Sequence, residues 1–396
     1  YRKYMMKDIF IVGSKGIPAQ YGGYETFVDN LVTKQVSKDI KYHVACMTFN
    51  KDTKDYDYNG ADCHEIHVPN IGGPKAILYD LRALDWALSK IKSNNLRNGI
   101  VYILACRIGP FIHSYIPKFH KYGFQVWVNP DGHEWLRAKW SKPIREYWKI
   151  SESGMVKNAD LLICDSKNIE KYIHESYQKF DPKTTFIAYG ADVEKSSLTA
   201  NDDKVKDWYA KHDVKPNNYF LIVGRFVPEN NYETMIREFM ASDVKKDLVI
   251  ITNVEHNKFY EELKEKTHFD KDKRIKFVGT VYDKDLLKYI RENAYGYLHG
   301  HSVGGTNPSL LEALSDTKLN LLYNVGFNKE VGESAALYWS KTPGFLKNLL
   351  EKADKLNSKQ INNLGKKAKQ RVIDGYSWKN IILEYERTFV RCKNDE

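Results

Sequence analysis

Short, almost wholly apolar runs rich in Val, Ile and Tyr alternate along this chain with longer stretches in which apolar residues recur every three or four positions. The first pattern predicts strands buried on both faces. The second predicts amphipathic helices, and the alternation of the two predicts parallel α/β sheets. In the first half the strand runs are Asp8–Ser14, Lys41–Thr48, Ile100–Cys106, Gln125–Asp131, Leu161–Ser166 and Thr184–Gly190. A second series follows a polar stretch at about 192–217: Tyr219–Arg225, Leu248–Asn253, Ile275–Thr280, Gly296–Gly300 and Leu319–Asn324. We therefore expect an α/β chain of two Rossmann-like, doubly wound parallel-sheet domains, residues 6–191 and 192–376, with a closing helix in 377–396. The linker candidate is YGADVEKSSLTANDDK, starting at Tyr189.

Composition narrows the class. With 396 residues, 42% hydrophobic and 28% charged, the chain is long enough for two cores and is neither disordered nor a coiled coil. No run of about 18 apolar residues suggests a membrane span. The opening YRKYMM lacks the apolar core of a secretory leader, so the fold is expected to start at Met6 and the protein to be cytoplasmic. Cys46, Cys63, Cys106, Cys164 and Cys392 form no CxxC pair and are expected to be free thiols. The net charge of +10 fits an acidic partner: nucleic acid, anionic lipid or a phosphorylated substrate.

In doubly wound sheets ligands bind beyond the carboxyl ends of the strands, so the residues just after each run carry the chemistry. After the first strand stands GSKGIPAQYGGYETFV, with Gly13, Gly16, Gly22 and Gly23 around a helix start. It is neither GxGxxG nor GxxxxGK[ST], which disfavours a nicotinamide site and a P-loop. The second domain opens with a strand and GRFVPENNYE, placing Arg225 where a guanidinium clamps a diphosphate. HGHSVGGTNPSLLEALS is the strongest constellation. Gly304, Gly305, Thr306 and the first helical turn form a phosphate nest, Asn307 caps, and Glu312 reaches back toward sugar hydroxyls. NPDGHEW points Asp131, His133 and Glu134 beyond the fourth strand, and Asp165 and Tyr189 end two others. EWLRAKWSKPIREYW interleaves Trp140 with Lys142 and Arg145, a composition suited to an anionic membrane surface or to stacked bases. Asp55-Tyr56-Asp57 and Asp283-Lys284-Asp285 read as solvated or capping segments rather than metal sites, and no zinc spacing or GxSxG elbow is visible.

Together these residues resemble a GT-B glycosyltransferase of the retaining, family 4 type. More narrowly, GIPAQYGGYETFV, NPDGHEW, GRFVPENNYET, KFVGTVYDKDLL and HSVGGTNPSLLEAL resemble the streptococcal β-1,4-rhamnosyltransferases of capsule and cell-wall polysaccharide synthesis. Two positions depart from the wider family. Asn230 stands where it usually has Lys after the GR pair, and Gly304 stands where the first of two paired glutamates is usual. The resemblance implies two domains facing across a cleft, an N-terminal one for the acceptor and a C-terminal one for the nucleotide sugar. It implies transfer of L-rhamnose from dTDP-β-L-rhamnose to O4 of a lipid-diphosphate-linked glucose or N-acetylglucosamine, with an undecaprenyl-type lipid. The enzyme would be peripheral on the inner face of the plasma membrane, with no cofactor or metal and no nucleic-acid partner. On this reading Gly16, Arg225, Asn230, Val281, Tyr282, Gly304, Gly305, Thr306, Asn307 and Glu312 bind the donor. Tyr21, Gly22, Gly23, His133 and Glu134 face the acceptor; Asp131, Asp165, Tyr189 and Arg225 are the catalytic candidates; and Trp140, Lys142 and Arg145 meet the membrane. A donor phosphate oxygen would serve as base, with domain closure excluding water. Another dTDP or UDP sugar, or a GT-B nucleotide-sugar epimerase, is the alternative. A glycoside hydrolase would need two carboxylates flanking the bond, and the glycine cradles have no part in that chemistry.

Overall fold

In a computed structural model, residues 6–20, 22–132, 134–137 and 140–392 are described. The chain divides into two compact units. The first comprises residues up to Leu136, Trp140–Tyr189 and the C-terminal segment from Trp378; the second comprises Gly190–Ser377 together with the short segment from Arg137.

The first unit is built on an eight-stranded sheet: β1 (Lys7–Val12), β2 (Ile40–Thr48), β3 (Asp55–Tyr58), β4 (Ala61–His67), β5 (Gly99–Leu104), β6 (Phe124–Asn129), β7 (Leu161–Cys164) and β8 (Thr184–Phe186). The spatial order is β3-β4-β2-β1-β5-β6-β7-β8, and every pairing is parallel except β3 with β4. The central strands are buried on both faces, which is why they read as unbroken apolar runs. One face carries a core of Phe10, Val101, Ile103, Val126, Met155 and Leu162 beneath the helix Pro74–Ser93 and its neighbours. On the other, Tyr385 and Phe389 of the helix Trp378–Arg391 pack among Phe27, Tyr42, Tyr102 and Trp127. Glu386 fixes that helix by accepting the amides of Val36 (2.7 Å) and Ser37 (3.2 Å).

The second unit has six parallel strands: β9 (Tyr219–Val223), β10 (Asp247–Ile251), β11 (Ile275–Phe277), β12 (Gly296–His299), β13 (Asn320–Tyr323) and β14 (Leu337–Trp339), ordered β11-β10-β9-β12-β13-β14. Phe220, Ile222, Leu248, Ile250 and Leu298 point into one core, and Tyr219, Leu221, Val249 and Tyr297 into the other. Alternate residues of one strand feed opposite layers.

The parallel α/β architecture stands as the apolar runs predict. Three strands escape that pattern. β3 is solvent-exposed and polar, β4 alternates, and β14 is three residues long at a sheet edge, so none presents a continuous apolar run. Asp55 and Asp57 are solvated, as expected, and lie on an antiparallel edge strand.

Candidate functional site

A doubly wound sheet opens a ligand crevice where the connections from adjacent strands depart in opposite directions. In the first sheet that point lies between β1 and β5, in the second between β9 and β12. The loops beyond these strands put one arginine at each: Arg107 and Arg225.

At the first point Arg107 is turned inward. Its guanidinium donates to Gly13 O (3.1 Å) and Leu104 O (3.3 Å) and pairs with Asp80 at 3.3 Å. Asp80 is fully buried; desolvation pushes its carboxyl up to about 6, with Arg107 pulling the other way. Around the same spot Tyr24, Asp131 and Asp165 come together. The Tyr24 hydroxyl is buried without a hydrogen-bond partner, and burial followed by the fields of Asp131 and Asp165 holds its pKa well above that of a free tyrosine. Asp131 adopts φ 56° beyond β6, its amide donating to Asn129 Oδ1 at 2.9 Å. Two catalytic candidates thus share one neighbourhood. The third, Tyr189, is committed elsewhere: its hydroxyl donates to Gly23 O (3.0 Å) and its ring packs edge-on against Trp378.

The glycine loop after β1 has packing reasons. A Cβ on Gly16, at φ 131°, would stand 2.9 Å from Cys46 Cβ, so this glycine lets the loop lie on β2. That accounts for Gly16 without the donor contact expected of it. Gly22 precedes the helix Gly23–Thr33, whose Glu25 accepts the Lys15 amide at 3.0 Å. Glu134 accepts from Trp140 Nε1 at 3.1 Å. Tyr21 and His133 lie outside the described residues.

At the second point Arg225 faces out. It is exposed, and its guanidinium makes no hydrogen bond or ion pair among the described residues. Asn230 does not stand in for the lysine expected there: it is buried, and its Nδ2 donates to Arg225 O at 3.0 Å, shaping the loop from inside. Asn231, left-handed at φ 58°, ties this loop to the next by donating to Gly300 O at 2.7 Å. After β12 the chain runs through Gly304 and Gly305 into the helix Pro308–Asp316. Asn307 Oδ1 accepts from the amides of Ser309 (2.9 Å) and Leu310 (3.3 Å), so the first helical turn is capped internally. This corrects the expected nest, because those two amides are taken. The Gly305 amide donates to no described residue.

Glu312 is half-exposed and meets buried Arg291 at 2.7 Å through Oε2. Behind it Asp316 lies 3.5 Å from Lys288, and burial, opposed by Lys288, pushes its carboxyl up to about 7. Beyond β11, Val281 is half-buried against the core and Tyr282 is 75% exposed. Asp283 caps the helix Lys284–Glu292 by accepting two of its amides.

The candidate membrane segment folds partly on itself. Trp140 lies 5.6 Å from Trp148, and Arg145 donates to Trp140 O at 3.0 Å. The exposed apolar groups on the helix Lys142–Asn158 are Ile144 and Ile150, among exposed Lys142 and Lys149. No helix among the described residues is long and apolar enough to cross a membrane.

Sequence reasoning missed Tyr24, Asp80 and Arg107. Arg107 was within reach, since it follows an expected strand; Asp80 sits inside a long helix, where spacing carries no sign of it.

These two units and switch points define a class of fold: that of the GT-B glycosyltransferases. Residues 6–192 match the family model described as a domain of unknown function, DUF1972. The chain is similar to the uncharacterized glycosyltransferase MJ1069 of Methanocaldococcus jannaschii, 22% identical over 395 residues, covering 94% of this chain and 96% of that one. It superposes on sucrose-phosphate synthase from Thermosynechococcus elongatus with TM-score 0.75 and 14% identity, over 97% and 98% of the two chains. It also superposes on Anabaena HepE in complex with UDP, with TM-score 0.68 and 12% identity, over 97% and 99%.

Proposed function

We propose that the protein is a glycosyltransferase that takes a sugar from a nucleotide diphosphate held in the second unit. The observation that carries this is Arg225, an exposed and uncommitted guanidinium at the switch point of a GT-B fold. Likeness to a glycosyltransferase across nearly the whole chain, and to a fold in which HepE holds UDP, supports it.

As the bond between the anomeric carbon and the β-phosphate oxygen breaks, negative charge grows on the leaving diphosphate. Arg225 and the amides of Gly305 and Thr306 meet that charge, so the reaction needs no metal. Gly304 and Asn307 shape this loop. Glu312, steadied by Arg291, accepts hydrogen bonds from the ribose or deoxyribose, and Tyr282 with Val281 contacts the base. The acceptor hydroxyl attacks from the leaving-group face and its proton passes to a phosphate oxygen, with retention. By the same motif resemblance, Asp131 and Asp165 are the candidates to orient an acceptor hydroxyl.

The motif set favours rhamnose from dTDP-β-L-rhamnose, and O4 of a lipid-diphosphate-linked glucose or N-acetylglucosamine as acceptor, in capsule or cell-wall polysaccharide synthesis. Ile144, Ile150, Lys142, Arg145 and Trp140 would rest on an anionic membrane surface. The test is incubation in EDTA with dTDP-rhamnose and each lipid-diphosphate sugar, followed by mass spectrometry. One added deoxyhexose on one acceptor is expected. No gain with dTDP-rhamnose but gain with a UDP sugar would overturn the donor; no gain with any nucleotide sugar would overturn transferase chemistry.

A further inference from the structure

Two histidines of the HGHS sequence occupy the second switch point, and neither has a role in the reading above. His299 ends β12 and His301 follows Gly300. Their rings stack at 4.3 Å between centroids and 7° between planes, with Tyr297 stacked beyond His299 at 6.1 Å. His299 is 1% exposed, yet neither ring nitrogen has a hydrogen-bond partner. His301 Nδ1 is likewise buried and unpartnered. Leaving buried polar atoms unmade costs about 1–3 kcal/mol each, and native structures keep such groups for a reason.

Two residues tied to this loop also keep an unpartnered buried oxygen. Asn328 donates through Nδ2 to His301 O at 3.0 Å, while its buried Oδ1 is unpartnered. Glu229 Oε2 is also buried and unpartnered; Oε1 stands 4.0 Å from Arg137, and Ser302 donates to Glu229 O. Gly224 keeps one side of the His301 ring open: a Cβ there would lie 3.2 Å from Cε1 and 3.6 Å from Nε2. Arg225 is the next residue. The groups facing the pair are thus Arg225 from the loop after β9, Arg137, and Tyr232 with its hydroxyl on Gly224 O at 3.2 Å. Tyr297 completes the set from β12 itself. Burial, reinforced by Arg225 and Arg137, holds His301 neutral with its pKa lowered to about 3, and burial, followed by the neighbouring His301, holds that of His299 well below the usual imidazole value.

We propose that the stacked His299–His301 pair is a proton-accepting anion receptor. When a nucleoside diphosphate seats beside Arg225, His301 takes one proton from solvent and donates an N–H to a phosphate oxygen. The diphosphate supplies the negative charge that the neutral pair and Arg225 lack, and the added proton turns an orphan acceptor nitrogen into a donor toward a phosphate oxygen. No covalent bond changes; one proton moves from buffer to imidazole. The inference rests on the donor-site reading of the same loops.

The test is titration calorimetry of dTDP and of UDP into the whole protein at pH 6.0, in two buffers of different ionisation enthalpy. Uptake of about half a proton or more per nucleotide is expected, with binding at least about twofold tighter at pH 6.0 than at pH 7.5. Ionisation of the terminal phosphate alone would give the opposite sign. His301→Asn should still bind nucleotide but take up no proton, its folding checked by its melting temperature. Carbon–proton shifts of the two wild-type Cε1 positions, with and without nucleotide, answer the same question with no variant. Binding with zero uptake or with proton release overturns the inference and leaves the donor site standing. Absence of binding by either nucleotide overturns the donor site and the inference with it.

Discussion

Arg107 and Arg225 each stand at the switch point of their sheet, one after β5 and the other after β9, and the protein uses them in opposite ways. Arg107 is turned inward, with its charge matched by buried Asp80 and its donors filled by Gly13 and Leu104 carbonyls. Arg225 is turned outward, its backbone carbonyl held by Asn230 and its guanidinium unmatched. A topological switch point therefore offers a crevice without deciding its use. The decision lies in what the interior supplies: an aspartate beneath one arginine, and beneath the other an amide that holds only the backbone.

Exchanging charge for neutrality at the two positions should separate stability from activity. At pH 7.5 Arg107→Ala leaves Asp80 buried and unpaired, and should cost about 3–5 kcal/mol in denaturant unfolding. Arg225→Ala should alter stability by no more than about 0.5 kcal/mol, as an exposed change. It should slow transfer by about 10²–10³-fold, read from single-turnover rates.

Acid sharpens the contrast. Asp80 titrates near 6 in the folded protein, above a free aspartate, so between about pH 4 and 6 the native state holds a proton that the unfolded chain has lost. Its contribution to stability is present below that window and falls by about 3 kcal/mol as pH rises through it. Asp80→Asn should lack this fall, so the variant should gain about 3 kcal/mol of stability relative to wild type from pH 4 to pH 6.

Glu312→Gln should raise the donor KM about tenfold or more, in line with the roughly 1.5–3 kcal/mol of a charged hydrogen bond, with melting temperature little moved. The smallest effect belongs to the surface of the helix Lys142–Asn158. Replacing Lys142, Arg145 and Ile150 together by Ser should weaken binding to anionic vesicles by about 1 kcal/mol per charge, with transfer to a short-chain acceptor intact.

Much of this was legible in the sequence because parallel strands buried on both faces announce themselves. Arg225 follows such a strand, and its loop residues are local. The edge strand β3 and its neighbour β4 were not legible, since half-exposed strands carry polar residues that read as loop. Nor was Asp80, whose place beneath Arg107 depends on a helix crossing the sheet. The two histidines were in plain view within HGHSVGGTNP. Their stacking, and the emptiness around their nitrogens, depend on how the loop holding Gly224 and Arg225 lies beside them. The glycine loop after β1 carries a packing reason that the sequence did not show: Gly16 allows its approach to Cys46.

The most direct test is to ask which switch point meets the nucleotide. A photoreactive dTDP analogue carrying its probe on the base can be crosslinked to the whole protein and mapped by peptide mass spectrometry. Label within 275–312, around Tyr282 and Glu312, suppressed by unlabelled dTDP, is the predicted result. Competable label confined to the loops at 13–22 or 105–109, with the second unit clear, would contradict it.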